Sequence, residues 1–240
     1  MTTSEIPRIV TPLAIAAAIL VSFRAGPPTQ PIDLVPGEPP APSAAETRAA
    51  FDRALTPGAP GYDRGSSRAS ITVLEFADFG CPYCARFAVE TYPQLAREFV
   101  ATGKVRWKYV PFVMGMFPNG AEAARAAECA ADQGLAAFGR MHDRLFGSQG
   151  DWKGASDPAE TFRAFAAAAG LDARRFAACY ATEAPDRRIR ASNELADQLG
   201  VRATPTFFIN GARVEGALPV EEFRSLLLDA LRRGRRETAR

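Results

Sequence analysis

The sequence has very little histidine and almost no net charge. Its single histidine, His142, excludes a metal site built from several histidines of this chain alone. A serine–histidine hydrolase is disfavoured too, because His142 stands in a helical pattern with no nucleophile motif beside it. Lys and Arg number 29 against 27 Asp and Glu, which gives a net charge of +2. Nucleic-acid-binding domains carry a basic surface, so we expect no nucleic-acid partner.

Long apolar runs are also missing. The run over residues 9–23 suits the apolar core of a secretory signal, about 7–15 residues, better than the roughly 20 residues of a membrane span. A buried core helix is the alternative, and Pro12 argues against it. Phe23 is too large for the small-residue pattern at a signal cleavage site. We therefore interpret residues 1–25 as a signal peptide or as an uncleaved N-terminal membrane anchor.

Residues 26–46 follow as a proline-rich linker. Seven prolines lie between residues 26 and 42, and they favour an extended, semi-rigid spacer over a helix. An apolar leader followed by a spacer predicts export to the periplasm or cell envelope, with a possible N-terminal membrane tether. Disulfides persist in such compartments, so each cysteine gains a potential role in bonding or redox chemistry.

Cysteine is scarce, but its placement is informative. The chain has four, of which Cys81 and Cys84 form a C-x-x-C pair. Such a pair serves as a redox dithiol or as half of a zinc site. A zinc site needs a second pair at similar spacing, whereas Cys129 and Cys179 stand far apart in the sequence. The spacing therefore favours a redox dithiol and predicts no metal site.

The chain from residue 47 onward combines strand and helix patterns in a specific order. Residues 71–76 are a continuous β-prone run, a helical pattern extends to about residue 100, and residues 105–109 alternate as a second strand. Strand, helix and strand in this order predict a parallel βαβ unit. After several helical patterns, Asn210-Gly211 between two β-prone runs predicts a hairpin, followed by a final helix.

This order predicts an α/β protein with the thioredoxin fold, β-α-β … β-β-α, and a helical insertion. The predicted boundaries are 47–118 for the N-terminal half of the fold, 119–199 for the insertion and 200–240 for the C-terminal half.

The position of the cysteine pair divides its roles. Cys81 falls where a buried strand ends and a helix begins, and the free N–H groups of a helix start stabilise a thiolate. Pro82 suits the first helical turn, where its missing N–H costs nothing. Cys84 lies about one turn further in. We expect Cys81 to be the exposed attacking thiolate and Cys84 the resolving thiol.

The stretch VLEFADFGCPYC at 73–84, together with Thr204-Pro205, resembles the DsbA-like branch of thioredoxin-fold thiol:disulfide oxidoreductases. The resemblance covers roughly residues 65–235. It implies that Cys81 and Cys84 are the active-site pair and that Pro205 is a cis-proline that helps to hold an extended substrate. It also implies that Glu75 is a buried acid that assists proton transfer.

Independently of the resemblance, Glu75 interrupts an apolar strand, where burial should raise its pKa. The alternative for Glu75 is an outward-facing strand residue. We expect the substrate-binding surface to include Thr204, Pro205, Pro82 and Tyr83. Aromatic residues around the dithiol could extend this surface or could belong to the core: Phe76, Phe79, Tyr83, Phe117 and Phe207.

Two residues depart from the pattern of the strongly oxidising members. Tyr83 stands where those members have histidine, so Cys81 should be less acidic and its disulfide less oxidising. Thr204 before the cis-proline resembles the related isomerases and reductases. The direction of electron flow therefore stays open.

The other cysteines, and the histidine, lie in the predicted insertion. Four cysteines allow three pairings, and assigning Cys81–Cys84 to the active site leaves Cys129–Cys179 as a structural disulfide. Two buried, reduced thiols are the alternative. We predict that His142 lies on a helix surface without a catalytic role.

The predicted function is an exported thiol:disulfide oxidoreductase that forms or exchanges disulfides in extracytoplasmic proteins. It needs no metal or nucleotide cofactor. Its expected partners are unfolded or partly folded proteins and a membrane redox partner, either a quinone-linked oxidase or a reductant transporter. A disulfide reductase or isomerase is one alternative. A Cu(I) metallochaperone that uses the same dithiol is another, and Met114 and Met116 are the methionines close to the pair in sequence.

Overall fold

The computed structural model describes residues 42–238. The predicted signal or anchor at 1–25 and most of the predicted linker at 26–46 lie outside these residues. No helix within the described part of the chain is long and apolar enough to cross a membrane.

A five-stranded mixed sheet in the order β1-β3-β2-β4-β5 forms the centre of the molecule. The strands are β1 (Tyr62–Arg64), β2 (Ile71–Ala77), β3 (Val105–Pro111), β4 (Thr206–Ile209) and β5 (Ala212–Glu215). β2 and β3 run parallel, as the βαβ pattern predicts, whereas the other neighbouring pairs are antiparallel. β2 is the central strand, and almost all of its side chains are buried. It ends directly before the C-x-x-C pair.

The helical stretch after β2 runs without a break from Pro82 to Val100 and contains two π-helical segments. Its parts are α2 (Pro82–Arg86), a π-helical turn (Phe87–Thr91), α3 (Tyr92–Leu95) and a second π-helical turn (Ala96–Val100). Pro93 has no N–H to donate within the helix. The first π-helical turn ends two residues before Pro93, and the Tyr92 N–H donates to the Phe87 carbonyl five residues earlier. The local widening accommodates a proline inside a helix.

Six helices between β3 and β4 form the insertion. They are α4 (Gly120–Ala131), α5 (Leu135–Gly147), α6 (Gln149–Trp152), α7 (Ala159–Ala168), α8 (Ala173–Tyr180) and α9 (Ala184–Gln198). The final helix is α10 (Val220–Thr238), which packs with the 82–100 helix on one face of the sheet. α9 and α1 (Ala44–Ala54), the first helix of the described residues, cover the opposite face. The architecture is therefore the thioredoxin fold with a helical insertion.

Helix α1 begins inside the segment for which the prolines predicted a linker to residue 46. A capping box explains its start: the Ser43 hydroxyl accepts from the Glu46 N–H, and the Glu46 carboxylate accepts from the Ser43 N–H. The S-x-x-E signature directly follows Pro42, so the proline-rich composition ends four residues before the predicted boundary.

The prediction that His142 lies on a helix surface is wrong. The side chain is buried in α5 among four aromatic rings, those of Phe79, Tyr109, Phe138 and Phe146. Burial lowers the pKa of His142 to about 4, so the imidazole is neutral at physiological pH. Its position follows helical periodicity, because His142 is four residues after Phe138 and four before Phe146 and therefore shares their buried face.

Candidate active site

The cysteine pair begins the helix that follows the central strand. Cys81 is the N-cap residue of α2, and Pro82 occupies the first helical position. The Cys81 N–H donates to the Asp78 carbonyl at 3.0 Å, and the Cys81 carbonyl accepts from the Ala85 N–H at 3.1 Å. The turn at 78–81 thus aims the free N–H groups of the helix start at the Cys81 sulfur.

The two thiols, both reduced in this structure, differ strongly in acidity. The pKa of Cys81 is lowered to about 6, chiefly by a hydrogen bond from the Cys84 thiol; burial opposes the shift, and contacts with Thr204 and with the Cys84 and Tyr83 N–H groups add to it. Burial raises the pKa of Cys84 well above its ordinary value. At neutral pH the pair therefore holds one thiolate, on Cys81, and one proton, on Cys84.

The expectation that Cys81 is exposed is wrong, because the residue is only 2% exposed. The loop before β4 packs against it, and the Cys81 Sγ lies 3.5 Å from the Thr204 carbonyl oxygen. Thr204 and Pro205 are joined by a cis peptide bond. The structure thus brings together Cys81 and the Thr204-Pro205 pair, which are more than a hundred residues apart in sequence.

Glu75 lies in the middle of β2, between Tyr109 on β3 and Phe207 on β4. It is 4% exposed, so the alternative of an outward-facing strand residue is wrong. The Trp107 indole N–H donates to its carboxylate at 2.6 Å. Burial raises the pKa of Glu75 to about 7, against the lowering effects of the Trp107 hydrogen bond and the Arg64 charge. A carboxyl group with this pKa can both give and accept a proton near neutral pH.

We expect the Glu75→Gln substitution to change the pH dependence of stability. Between pH 4.5 and about 7 the reduced folded protein holds a proton on Glu75 that the unfolded chain releases, so this group makes stability fall as pH rises. The variant lacks this effect. As the pH is raised from 4 to 8, its unfolding free energy should therefore increase by about 3 kcal/mol relative to that of the wild type.

Urea unfolding of both reduced proteins across this pH range provides the measurement. His142 titrates in both proteins, so its contribution to the pH dependence cancels when the two curves are subtracted. Glu222→Gln, which changes an exposed carboxylate, is the matched control. Wild-type and Glu75→Gln curves that stay parallel from pH 4 to pH 8 would contradict the prediction.

The predicted aromatic surface is mostly core. Phe76, Phe79 and Phe207 are buried and Phe117 is partly buried, so a surface role is wrong for the first three. Tyr83 is 59% exposed, and the Arg86 guanidinium lies 5.3 Å from its ring centre. Pro82 is also exposed. Of the predicted substrate-binding residues, Pro82 and Tyr83 are open to solvent, whereas Pro205 is buried and Thr204 is partly buried.

Sequence analysis missed two residues that shape the active-site turn. The Asp78 carboxylate is 2% exposed and accepts from the N–H groups of Gly80 and Met114, and burial raises its pKa. The Gln149 side-chain amide, from the insertion, donates to the carbonyl of Phe79 at 2.5 Å and to that of Cys81 at 3.0 Å. The place of Asp78 between strand and cysteine was a usable signal, whereas nothing in the sequence connects Gln149 with the turn.

Cys129 in α4 and Cys179 in α8 form a disulfide, with an S–S distance of 2.05 Å. It joins two helices of the insertion. Within the described residues, no group of three or more His, Cys, Asp or Glu side chains is arranged to hold a metal ion.

Comparison with known proteins places this geometry in a family. A family model described as Thioredoxin matches residues 60–229. The chain belongs to the thioredoxin family. Within that family its fold is DsbA-like. It is similar to oxidised BdbD from Bacillus subtilis, with a TM-score of 0.66 and 22% identity over 73% of this chain and 97% of BdbD. Alpha-DsbA1 from Wolbachia pipientis gives a TM-score of 0.67 and 22% identity over 76% of this chain and 96% of that one.

ScsC from Proteus mirabilis, in a transitional conformation, is also similar. Its TM-score is 0.62, with 21% identity over 80% of this chain and 82% of ScsC. Among curated proteins, the Na(+)/H(+) antiporter NhaA 3 of Salinispora tropica is 36% identical over 167 residues, which are 70% of this chain and 24% of the antiporter. NhaA of Herminiimonas arsenicoxydans is 34% identical over 173 residues, 72% of this chain and 26% of the antiporter. The chain spans about a quarter of the length of these curated relatives.

Proposed function

We propose that this protein is a thiol:disulfide oxidoreductase that works on the cysteines of other proteins. The observation that carries the proposal is the asymmetry of the dithiol: an acidic Cys81 at a helix start, and a buried Cys84 whose thiol keeps its proton. This asymmetry gives one sulfur the character of an attacking and leaving group and the other that of an internal resolving thiol.

In the oxidising direction, a substrate thiolate attacks Cys81 Sγ of the Cys81–Cys84 disulfide. A mixed disulfide forms, the Cys81–Cys84 bond breaks, and Cys84 leaves as a thiolate that takes up a proton. A second substrate thiolate then attacks the substrate sulfur of the mixed disulfide, and Cys81 leaves. The substrate loses two electrons, the protein gains two, and the low pKa of Cys81 makes it a good leaving group in the second step.

Glu75 is the proposed proton donor to Cys84 in the first step. The carboxyl group is buried, and its pKa is about 7. Burial raises the pKa of Tyr109 on β3, and the charges of Glu75 and Cys84 raise it further, so both groups act on the same phenol. A thiolate formed in this apolar interior is costly unless a proton reaches it, and the Glu75 carboxyl holds one at neutral pH. In the reverse cycle the same carboxylate takes the proton back.

The location and partners of the protein are part of the proposal. The apolar run at 9–23 and the proline-rich segment support export, with or without a membrane tether. The substrates would be unfolded or partly folded extracytoplasmic proteins. The redox partner would be a membrane protein, either a quinone-linked oxidase or a reductant transporter.

The direction of the reaction is tested by equilibrating the dithiol with glutathione buffers. Tyr83 supplies no positive charge next to Cys81, so we expect a potential below the oxidising extreme of about −120 mV and above the roughly −270 mV of thioredoxin. The oxidised protein should then form disulfides in a reduced, unfolded test protein. A potential at or below that of thioredoxin would contradict the oxidising direction and favour the reductase alternative.

One observation favours the Cu(I) metallochaperone alternative. The Thr204 hydroxyl donates to the Met114 thioether at 3.4 Å, while the Thr204 carbonyl contacts Cys81 Sγ. Two thiols and a nearby thioether are ligand types that Cu(I) prefers. Stoichiometric Cu(I) binding by a reduced protein that exchanges no disulfides would favour this function over the proposed one.

A further inference from the structure

A short loop between β3 and α4 lies against the active-site turn. We call residues 112–117 the methionine loop, because it carries Met114 and Met116. Met116 is 66% exposed and makes the loop apolar towards solvent. At its far end Phe117 packs on the active-site turn so closely that a Cβ atom at Gly80 would lie 2.4 Å from the Phe117 Cβ.

A closed ring of contacts joins this loop to the attacking sulfur. Asp78 accepts from the Gly80 N–H at 2.8 Å and from the Met114 N–H at 2.9 Å. The Met114 thioether accepts from the Thr204 hydroxyl at 3.4 Å, and the Thr204 carbonyl lies 3.5 Å from Cys81 Sγ. Asp78 is therefore the point at which the active-site turn and the methionine loop are held together.

The site of the Asp78 carboxylate is closely fitted. A Cβ atom at Gly120 would lie 2.7 Å from Asp78 Oδ1. Only a glycine at position 120 therefore lets the start of α4 come this close to the carboxylate. Both carboxylate oxygens are occupied by backbone N–H donors, and the side chain does not contact the cysteine sulfurs through any of these bonds. Its carboxylate therefore sets the position of two backbone segments, the active-site turn at Gly80 and the methionine loop at Met114.

We propose that Asp78 is a positioning residue that holds the methionine loop beside Cys81, and that this loop is one wall of the binding site for an extended peptide with apolar side chains next to its cysteine. The inference rests on the proposed function. The peptide class follows from the surface that the site offers: Met116 on the loop and Tyr83 on α2 are exposed large apolar side chains on the two segments that adjoin Cys81.

The test compares Asp78→Asn with the wild type in two assays, oxidation of a peptide with two cysteines and oxidation of dithiothreitol, each with oxidised glutathione as the terminal oxidant and with the uncatalysed rate subtracted. An asparagine side chain accepts through one atom only. Its oxygen can keep the Gly80 N–H and hold the active-site turn, while its NH2 then faces the Met114 N–H, so the loop loses its anchor. We expect KM for the peptide to rise about tenfold with kcat within about twofold, and the rate with dithiothreitol to change by less than about twofold.

Asp172→Asn is the matched control, because Asp172 also accepts from a backbone N–H but caps α8 in the insertion. It should leave both assays unchanged. Met116→Ser, at an exposed position that the fold does not require, should raise the peptide KM and spare the dithiothreitol rate. A peptide KM unchanged in Asp78→Asn, or equal losses with peptide and dithiothreitol, would overturn the proposal.

Hydrogen exchange keeps the inference testable if Asp78→Asn does not fold. In the wild type the Met114 amide should exchange at least about a hundredfold more slowly than an open loop amide, because its acceptor is a buried carboxylate. Rapid exchange there would overturn the proposed role of Asp78. A wild-type chain that oxidises neither peptide nor dithiothreitol would instead overturn the proposed function itself, and this inference with it.

Discussion

Replacing Cys81 with serine should reduce disulfide exchange with protein substrates by at least about a thousandfold. A serine hydroxyl cannot form the mixed disulfide, and the remaining Cys84 is fully buried with a pKa well above its ordinary value. The measurement is the rate of disulfide formation in a reduced, unfolded test protein. Alkylation gives a second readout: the reduced wild type should have a fast-reacting thiol that titrates near pH 6, and the variant should lack it.

Cys84→Ser is the matched control for that experiment. It should also stop turnover. When the variant is instead mixed with a substrate that carries a disulfide, the Cys81 thiolate attacks that bond and one substrate sulfur leaves as a thiolate. The resulting mixed disulfide should accumulate and be visible on a non-reducing gel, because the resolving thiol is missing. Cys81→Ser should accumulate none. Retained turnover in Cys81→Ser, or trapping by that variant and not by Cys84→Ser, would refute the proposed division of roles.

Removing the Cys129–Cys179 disulfide should cost the protein about 4 kcal/mol of unfolding free energy, by the chain-entropy estimate for the loop of 50 residues that it closes. The double substitution Cys129→Ala with Cys179→Ala tests this without leaving a thiol behind. Cys129 is fully buried among alanines of α4, so alanine there adds the cost of a small cavity. Urea unfolding of the variant and the wild type, both with Cys81 and Cys84 reduced, gives the difference.

Activity separates the role of this disulfide from that of the active-site pair. At temperatures where the variant stays folded, the alkylation rate of Cys81 should match that of the wild type, since the two pairs share no bond or hydrogen bond. Equal stability of variant and wild type would show that the bond does not constrain the unfolded chain. A change in the acidity of Cys81 would show instead that the insertion disulfide is coupled to the dithiol.

Much of the scaffold could be predicted because its determinants are local. The run ITVLEF, the C-P-Y-C pair at a strand end and the Asn-Gly turn each specify a short segment through propensity and spacing. The burial of Glu75 also follows from a local fact, since a carboxylate in an otherwise apolar central strand has no exposed face to occupy. These features fixed the order of the elements and the position of the two cysteines.

The details of the site depended on contacts between distant segments, and there sequence reasoning failed. Cys81 was expected to be exposed, but the Thr204 loop, 123 positions away, covers it. Gln149 lies 68 positions from Cys81 and donates to its backbone carbonyl. Every residue has such a carbonyl, so no residue type in the sequence marks the acceptor. His142 was judged by its polarity, whereas its place between Phe138 and Phe146 on one helix face determined its burial.

The hydrogen bonds of Gln149 bear on whether the insertion is a separable module. Its amide caps two carbonyls of the catalytic turn, while Tyr62 of β1 and Arg188 of α9 both bind the buried carboxylate of Glu128 in α4. Cutting the chain near residues 119 and 199 would separate Gln149 from its two carbonyl acceptors and Tyr62 from Glu128, whereas Arg188 and Glu128 both belong to the insertion and would stay paired. Exchanging insertions between relatives would therefore require transferring the active-site turn, β1 and the insertion together. A substitution in any one of these three segments limits which residues the other two can accept.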